Sequence, residues 1–143
     1  RKLASGVAKI KLGMEDSIVL GNLDVERDWG YAPDYVRAMW EMLQQPSPDD
    51  YVVCTGETHS VQEFLDQAFL VADIEDYSPF VSIDPDLFRP AEVPYLKGSY
   101  DKANRKLGWE PEISFNELVA LMVKHDISSR CKREQSCSNN VKA

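Results

Sequence analysis

Tyr51-Val52-Val53-Cys54-Thr55 is a continuous apolar run of strand length, ended by Gly56. Such a run, without polar alternation, reads as a strand buried on both faces, as in a parallel sheet. A strand of that kind needs neighbours, and the chain supplies few. Ser17-Ile18-Val19-Leu20, closed by Gly21-Asn22, is a short strand candidate. Val25 to Tyr31 is a second extended run, with Arg27 and Trp29 on one face and Asp28 on the other. Val81-Ser82-Ile83 is a minor extended segment. Helices alternate with strands too few to close an independent sheet. The expected class is therefore α/β, in a portion that docks on a larger α/β domain.

The helical segments carry their own punctuation. In residues 1–13, Leu3, Val7 and Ile10 share a face and Gly13 stops the pattern. That helix is already under way at Arg1, which predicts the C-terminal part of a longer protein. Pro33 suits a first helical turn; Tyr35, Val36, Met39, Trp40 and Leu43 follow at helical spacing until Pro46-Ser47-Pro48. Ser60 with Glu63, and Ser114 with Glu117, are capping boxes. The first precedes Val61, Phe64, Leu65, Ala68 and Phe69; the second opens a helix through Leu118, Leu121, Met122 and Ile127. Asp101 to Leu107 is a short helix, and Pro85 to Pro94 an irregular loop. From Ser128 the pattern stops, so residues 1–127 read as one folded portion and 128–143 as a disordered tail.

The net charge of −8 argues against nucleic acid as a partner. No apolar run approaches the length that crosses a bilayer, so no membrane partner is expected. Cys54 reads as core; Cys131 and Cys137 lie in the polar tail. Three cysteines without regular spacing form neither a disulfide framework nor a zinc site, and reduced thiols fit the cytoplasm. His59 and His125 have no partner at metal-ligand spacing and read as solvated.

Two arginines on separate loops stand out. Arg27 is followed by Asp28-Trp29-Gly30, and Arg89 opens Arg89-Pro90-Ala91-Glu92. Paired guanidiniums can clamp two phosphates, because each presents a rigid fork of donors. A carboxylate such as Glu92 can accept from ribose hydroxyls. Spacing alone fits surface pairing equally: Arg27 with Glu26 or Asp28, and Arg89 with Glu92 at i,i+3. The chain contains no Gly-rich dinucleotide loop and no Tyr-x-x-x-Lys. Machinery for hydride and proton transfer is therefore not expected here.

Read in order, Leu20-Gly21-Asn22-Leu23, Arg27-Asp28-Trp29-Gly30, Asp34-Tyr35-Val36, Met42-Leu43-Gln44-Gln45, Phe88-Arg89-Pro90-Ala91-Glu92-Val93 and Lys106-Leu107-Gly108-Trp109-Glu110-Pro111 resemble the GDP-mannose 4,6-dehydratases, from Arg1 to about Ile127. These are extended short-chain dehydrogenases. The resemblance implies a Rossmann NADP domain upstream, with this chain as the C-terminal, substrate-binding portion. It implies oxidation of GDP-mannose at C4 by NADP, loss of water across C5–C6 and reduction at C6, feeding GDP-fucose synthesis in a cytoplasmic dimer or tetramer. The family's catalytic residues lie upstream of Arg1. What carries over is substrate binding: Arg27 and Arg89 match diphosphate ligands and Glu92 the ribose acid. Lys2, Leu20 and Gly21 match weaker contacts, and Val61 lines the base or ribose pocket. Tyr31 departs from the pattern, where histidine is common, as does the tail. Two other readings remain open: a related nucleotide-sugar epimerase or dehydratase, and a non-catalytic interaction or remnant domain.

Overall fold

The computed structural model describes residues 1–140, with side chains through Lys132. The elements are α1 Lys2–Lys11, β1 Ile18–Leu20, β2 Glu26–Arg27, α2 Ala32–Leu43, β3 His59–Ser60, α3 Val61–Val71, β4 Val81–Ile83, β5 Tyr95–Leu96, α4 Asp101–Leu107 and α5 Phe115–Asn140. Among the described residues they form two compact units: residues 1–22, 62–88 and 119–140, and residues 23–61 and 89–118.

In the first unit, β1 and β4 pair in parallel, Ile18 with Val81 and Leu20 with Ile83. Ile18 and Leu20 are buried while Val19 points out, the two-residue period of a strand covered on one face. The core adds Val7 from α1, Phe64, Leu65 and Phe69 from α3, and Val119 and Val123 from α5. Gly13 ends α1 as expected. Its positive φ of 67° lets the Met14 amide reach the Lys9 carbonyl at 2.8 Å and its own amide reach Ile10 at 2.9 Å. Asp73 does the same after α3 with φ 53°, as the Ile74 amide donates to the Phe69 carbonyl at 3.0 Å.

In the second unit, β2 lies between β3, antiparallel, and β5, parallel. Trp109 is fully buried with Ala38 and Ala103, and Tyr35, Met42, Tyr51 and Val53 pack on that cluster. The Trp109 indole donates to the Asp34 carbonyl at 2.8 Å. The Asp34 side chain, 4 % exposed, accepts the amides of Glu112 at 3.0 Å and Ile113 at 3.3 Å through one oxygen, Oδ2. Pro33 sits in the first turn of α2, and the Ser114–Glu117 capping box forms: the Ser114 amide and hydroxyl donate to Glu117 at 2.9 and 2.6 Å.

Three expectations are corrected. Residues 51–55 pair with no strand among the described residues, and Val52 is exposed, because a parallel strand exists only with a hydrogen-bonded neighbour. The run from Val25 to Tyr31 shrinks to Glu26–Arg27, since only these two residues meet backbone partners in register. Residues 128–140, expected as disordered tail, continue α5. They contain neither Gly nor Pro to break it. The Ser128 hydroxyl also donates to the His125 carbonyl at 3.0 Å, and Arg130 donates to the Ser5 hydroxyl at 2.6 Å. Residues 141–143 of that expected tail lie outside the described residues.

Candidate functional site

β2 and the residues after it form the frame on which Arg27 is mounted. Glu26 accepts the Thr58 hydroxyl at 2.7 Å. Asp28 accepts the Thr55 amide at 2.8 Å, the Thr55 hydroxyl at 2.7 Å and the Gly56 amide at 3.0 Å. The Trp29 indole donates to the His59 carbonyl at 3.2 Å. Side chains alternate across an extended segment, so adjacent positions reach different neighbours.

Arg27 donates from Nη1 to the carbonyls of Glu26 at 2.7 Å and Val93 at 2.8 Å, and from Nη2 to Glu92 Oε1 at 3.0 Å. Both partners of the ion pair are about three-quarters buried, at 28 % and 22 % exposure. A guanidinium has five N–H donors. Three are spent on the protein, and among the described residues Nε–H and the second Nη2–H remain.

The structure therefore brings Arg27 and Glu92 together. Neither local pairing holds: Asp28 is turned to the 55–56 backbone, and Glu92 is bound by Arg27 rather than by Arg89. Arg89 is exposed, and no carboxylate pairs with it among the described residues. Val61 is half-buried, and its amide donates to the Val25 carbonyl at 3.3 Å, tying the start of α3 to the segment leading into β2.

Lys2, Leu20 and Gly21 belong to the first unit. Lys2 Nζ donates to the Val19 carbonyl at 3.0 Å. Leu20 is buried, and its carbonyl accepts the Asp84 amide at 2.8 Å. At Gly21 the backbone passes so close to Leu87 that a Cβ would lie 2.9 Å from the Leu87 carbonyl oxygen.

His59 was expected to be solvated. It is instead half-buried, with its ring stacked on Phe115 at 3.8 Å and 9° between planes. Together with Trp29, Thr55, Tyr100 and Glu117 the two rings line a concavity of about 270 Å³ in the second unit. Sequence reasoning had no access to this stack, which joins residues from distant segments. Two further groups are shifted from their ordinary ionisation: Glu117 is held lower by the Ser114 hydroxyl and then the Ser114 amide, and burial raises the Cys54 thiol. Among the described residues no cluster of three His, Cys, Asp or Glu side chains could hold a metal ion, and no helix is long and apolar enough to cross a membrane.

The family profile described as GDP-mannose 4,6 dehydratase matches residues 1–122. GDP-mannose 4,6 dehydratase 2 of Arabidopsis thaliana is 48% identical over 135 residues, covering 94% of this chain and 36% of the relative. GDP-mannose 4,6 dehydratase of Homo sapiens is 43% identical over 143 aligned positions, covering 89% of this chain and 38% of the relative. Among solved structures, RMD from Pseudomonas aeruginosa complexed with NADPH superposes with a TM-score of 0.76 at 23% identity, covering 89% of this chain and 41% of that one. The fold is thus a portion of the α/β fold of extended short-chain dehydrogenases, and the chain spans well under half the length of the relatives it matches. On the match across residues 1–122 and these identities, the chain belongs to the GDP-mannose 4,6 dehydratase family.

Proposed function

We propose that this chain supplies nucleotide recognition in a GDP-mannose 4,6-dehydratase. Arg27 and Arg89 take the diphosphate of GDP-mannose, and Glu92 takes the ribose hydroxyls. Val61 belongs to the base or ribose wall. The observation that carries the reading is the mounting of Arg27. Three hydrogen bonds fix its guanidinium, and two donors are left over, the number a phosphate takes from an arginine fork. Glu92 has a double part: it positions Arg27, and it retains acceptor capacity for a hydroxyl, since an ionised carboxylate has about four lone-pair sites. Lys2, Leu20 and Gly21 carry the weaker contacts that the resemblance implies, through the Lys2 side chain and the Leu20-Gly21 backbone.

At family length the reaction is conversion of GDP-mannose to GDP-4-keto-6-deoxymannose with NADP, on the way to GDP-fucose. The support is the family match and the ordered strings of residues 1–127. A cytoplasmic homo-oligomer belongs to the same reading. This chain does not fit NADP itself: its closest glycines, Gly6 and Gly13, are seven positions apart, and no strand–Gly-rich turn–helix unit occurs among the described residues. No redox step is assigned to its side chains.

The test is calorimetric titration of GDP and of guanosine into the chain. GDP is expected to bind more tightly than guanosine. Arg27→Ala and Arg89→Ala should each weaken GDP by roughly ten- to a hundredfold, because a hydrogen bond to a charged group contributes about 1.5–3 kcal/mol. Arg27→Lys should recover only part of that, since it keeps the charge and loses the fork. Equal affinity for GDP and guanosine, or unchanged GDP affinity in folded alanine variants, would remove the support for this assignment.

A further inference from the structure

The concavity of the second unit stands apart from the nucleotide contacts, since none of Arg27, Arg89 and Glu92 lines it. Four rings from four separate segments do: Trp29, His59, Tyr100 and Phe115. The Phe115 ring is stacked with His59, and Trp29 meets it at 6.5 Å with 75° between planes. Tyr100 lies over Gly56, where a Cβ would come within 3.2 Å of its ring. The positive φ of 78° at Gly56, and the Asp28 bonds to residues 55 and 56, hold the backbone under that ring. Three carboxylates share the lining, Glu57, Glu112 and Glu117, and among the described residues no lysine or arginine does.

Hydrogen bonding decides what such a lining can take. The Thr55 hydroxyl donates to Asp28 at 2.7 Å, the Ser114 hydroxyl to Glu117 at 2.6 Å and the Trp29 indole to the His59 carbonyl at 3.2 Å. These donors are spent inside the protein, while acceptors are left over: both Ser114 bonds go to a single oxygen of Glu117, Oε2. Arg37 offsets Glu112 at 3.1 Å, so the negative charge of the lining rests on Glu57 and Glu117. Glu117 keeps its charge into acid, because the Ser114 hydroxyl and then the Ser114 amide hold it below the usual carboxylate range. An anion is repelled here, and a neutral polyol needs donors as well as acceptors. A metal ion needs a ligand cluster that is absent among the described residues. A cation with an apolar skin meets both features of the lining: ring faces attract its charge, and its alkyl groups pack against them.

We propose that the concavity of about 270 Å³ formed by Trp29, Tyr100 and the His59–Phe115 stack, with Glu57 and Glu117, is a binding site for a small alkylated ammonium ion. The site does not depend on nucleotide recognition, so a chain that ignores GDP leaves it standing.

The experiment titrates choline into the chain at constant ionic strength and follows the Trp29 indole N–H by NMR. Its neutral isostere 3,3-dimethyl-1-butanol and methyl glucoside are titrated alongside. Choline should bind at least about tenfold more tightly than the isostere, which has the same shape without the charge. Glu117→Gln keeps an acceptor for Ser114 and loses the charge; it should weaken choline about threefold and leave the isostere unchanged. Tyr100→Leu should weaken choline by about fivefold, and Tyr100→Phe, which keeps the ring, should restore it. Asp50→Asn, at an exposed carboxylate outside the lining, should change nothing. Equal affinity for choline and the isostere overturns the proposal, as does full choline affinity in Glu117→Gln, which decides the matter even where Tyr100→Leu fails to fold. Tighter binding of methyl glucoside than of choline overturns it in favour of a sugar site.

Discussion

Replacing Asp34 by alanine should loosen the second unit by a calculable amount. One oxygen, Oδ2, accepts both the Glu112 and the Ile113 amides, at 3.0 and 3.3 Å. The other oxygen lies 3.7 Å from Arg37 Nη2. Alanine strands two backbone donors. An unsatisfied buried donor costs about 1–3 kcal/mol, and because Glu112 is exposed, water recovers part of that, so we expect about 2–3 kcal/mol in total. Arg37 keeps its bonds to the Glu110 carbonyl and to the Glu112 carboxylate, so losing the longer Asp34 contact adds little. Asparagine is the informative contrast. Both amides use a single acceptor oxygen, so the asparagine carbonyl can take both, and only the charge is lost; its cost should be about 1 kcal/mol. The assay is hydrogen exchange at the Glu112 and Ile113 amides and at the Trp109 indole, whose own acceptor is the Asp34 carbonyl. It reads local opening without assuming a two-state transition. Asp34→Ala should speed exchange by roughly thirty- to two-hundredfold, since each 1.4 kcal/mol is about tenfold, and Asp34→Asn by less than about tenfold. Equal rates in the two variants, or an alanine effect below about threefold, would refute the reasoning.

Three further outcomes are expected. Asp73→Gly should raise stability by about 1 kcal/mol, because Asp73 holds φ 53° where glycine pays no steric cost and the lost Lys11 contact is exposed; urea denaturation measures it, and a fall in midpoint contradicts it. Burial, and then the hydrogen bond that the hydroxyl donates to Asp66, push the Tyr77 phenol up to about 12. The folded state therefore keeps that proton above pH 10 while the unfolded chain loses it, so this contribution is present below pH 10 and lost as pH rises toward 12; absorbance titration at the phenolate band, with and without Tyr77→Phe, checks it. Incubated with GDP-mannose and NADP, the chain by itself should form no 4-keto-6-deoxy product, for it has no Tyr-x-x-x-Lys pair to move protons; product above background would contradict this.

What the sequence disclosed depended on how far apart the interacting residues stand. The Ser114–Glu117 capping box, the Gly13 stop and the Pro33 start are contained within one helical turn, and all three form. The pairing of Arg27 was not readable in the same way. Its carboxylate is 65 positions away, while two nearer acids fitted equally well. The stacking of His59 on Phe115 is invisible for the same reason. Residues 51–55 have the composition of a strand, but composition cannot supply the neighbour that makes one. The helix past Ile127 had no apolar period to announce it; only the absence of breakers, Gly and Pro, pointed that way.

The two-residue strand β2 owes little to its ladder. Each of the four positions from Glu26 to Trp29 is tied to a different neighbour: Thr58, Glu92 with Val93, the 55–56 turn, and His59. The segment behaves as a four-toothed key. Substituting one residue removes one tooth and leaves three to hold the alignment. Deleting or inserting one residue misaligns all four, because every side chain then turns to the opposite face. Variation in this stretch should therefore arise by exchange of residues, with its length held constant, and Arg27 is delivered to the same place whichever single neighbour is altered.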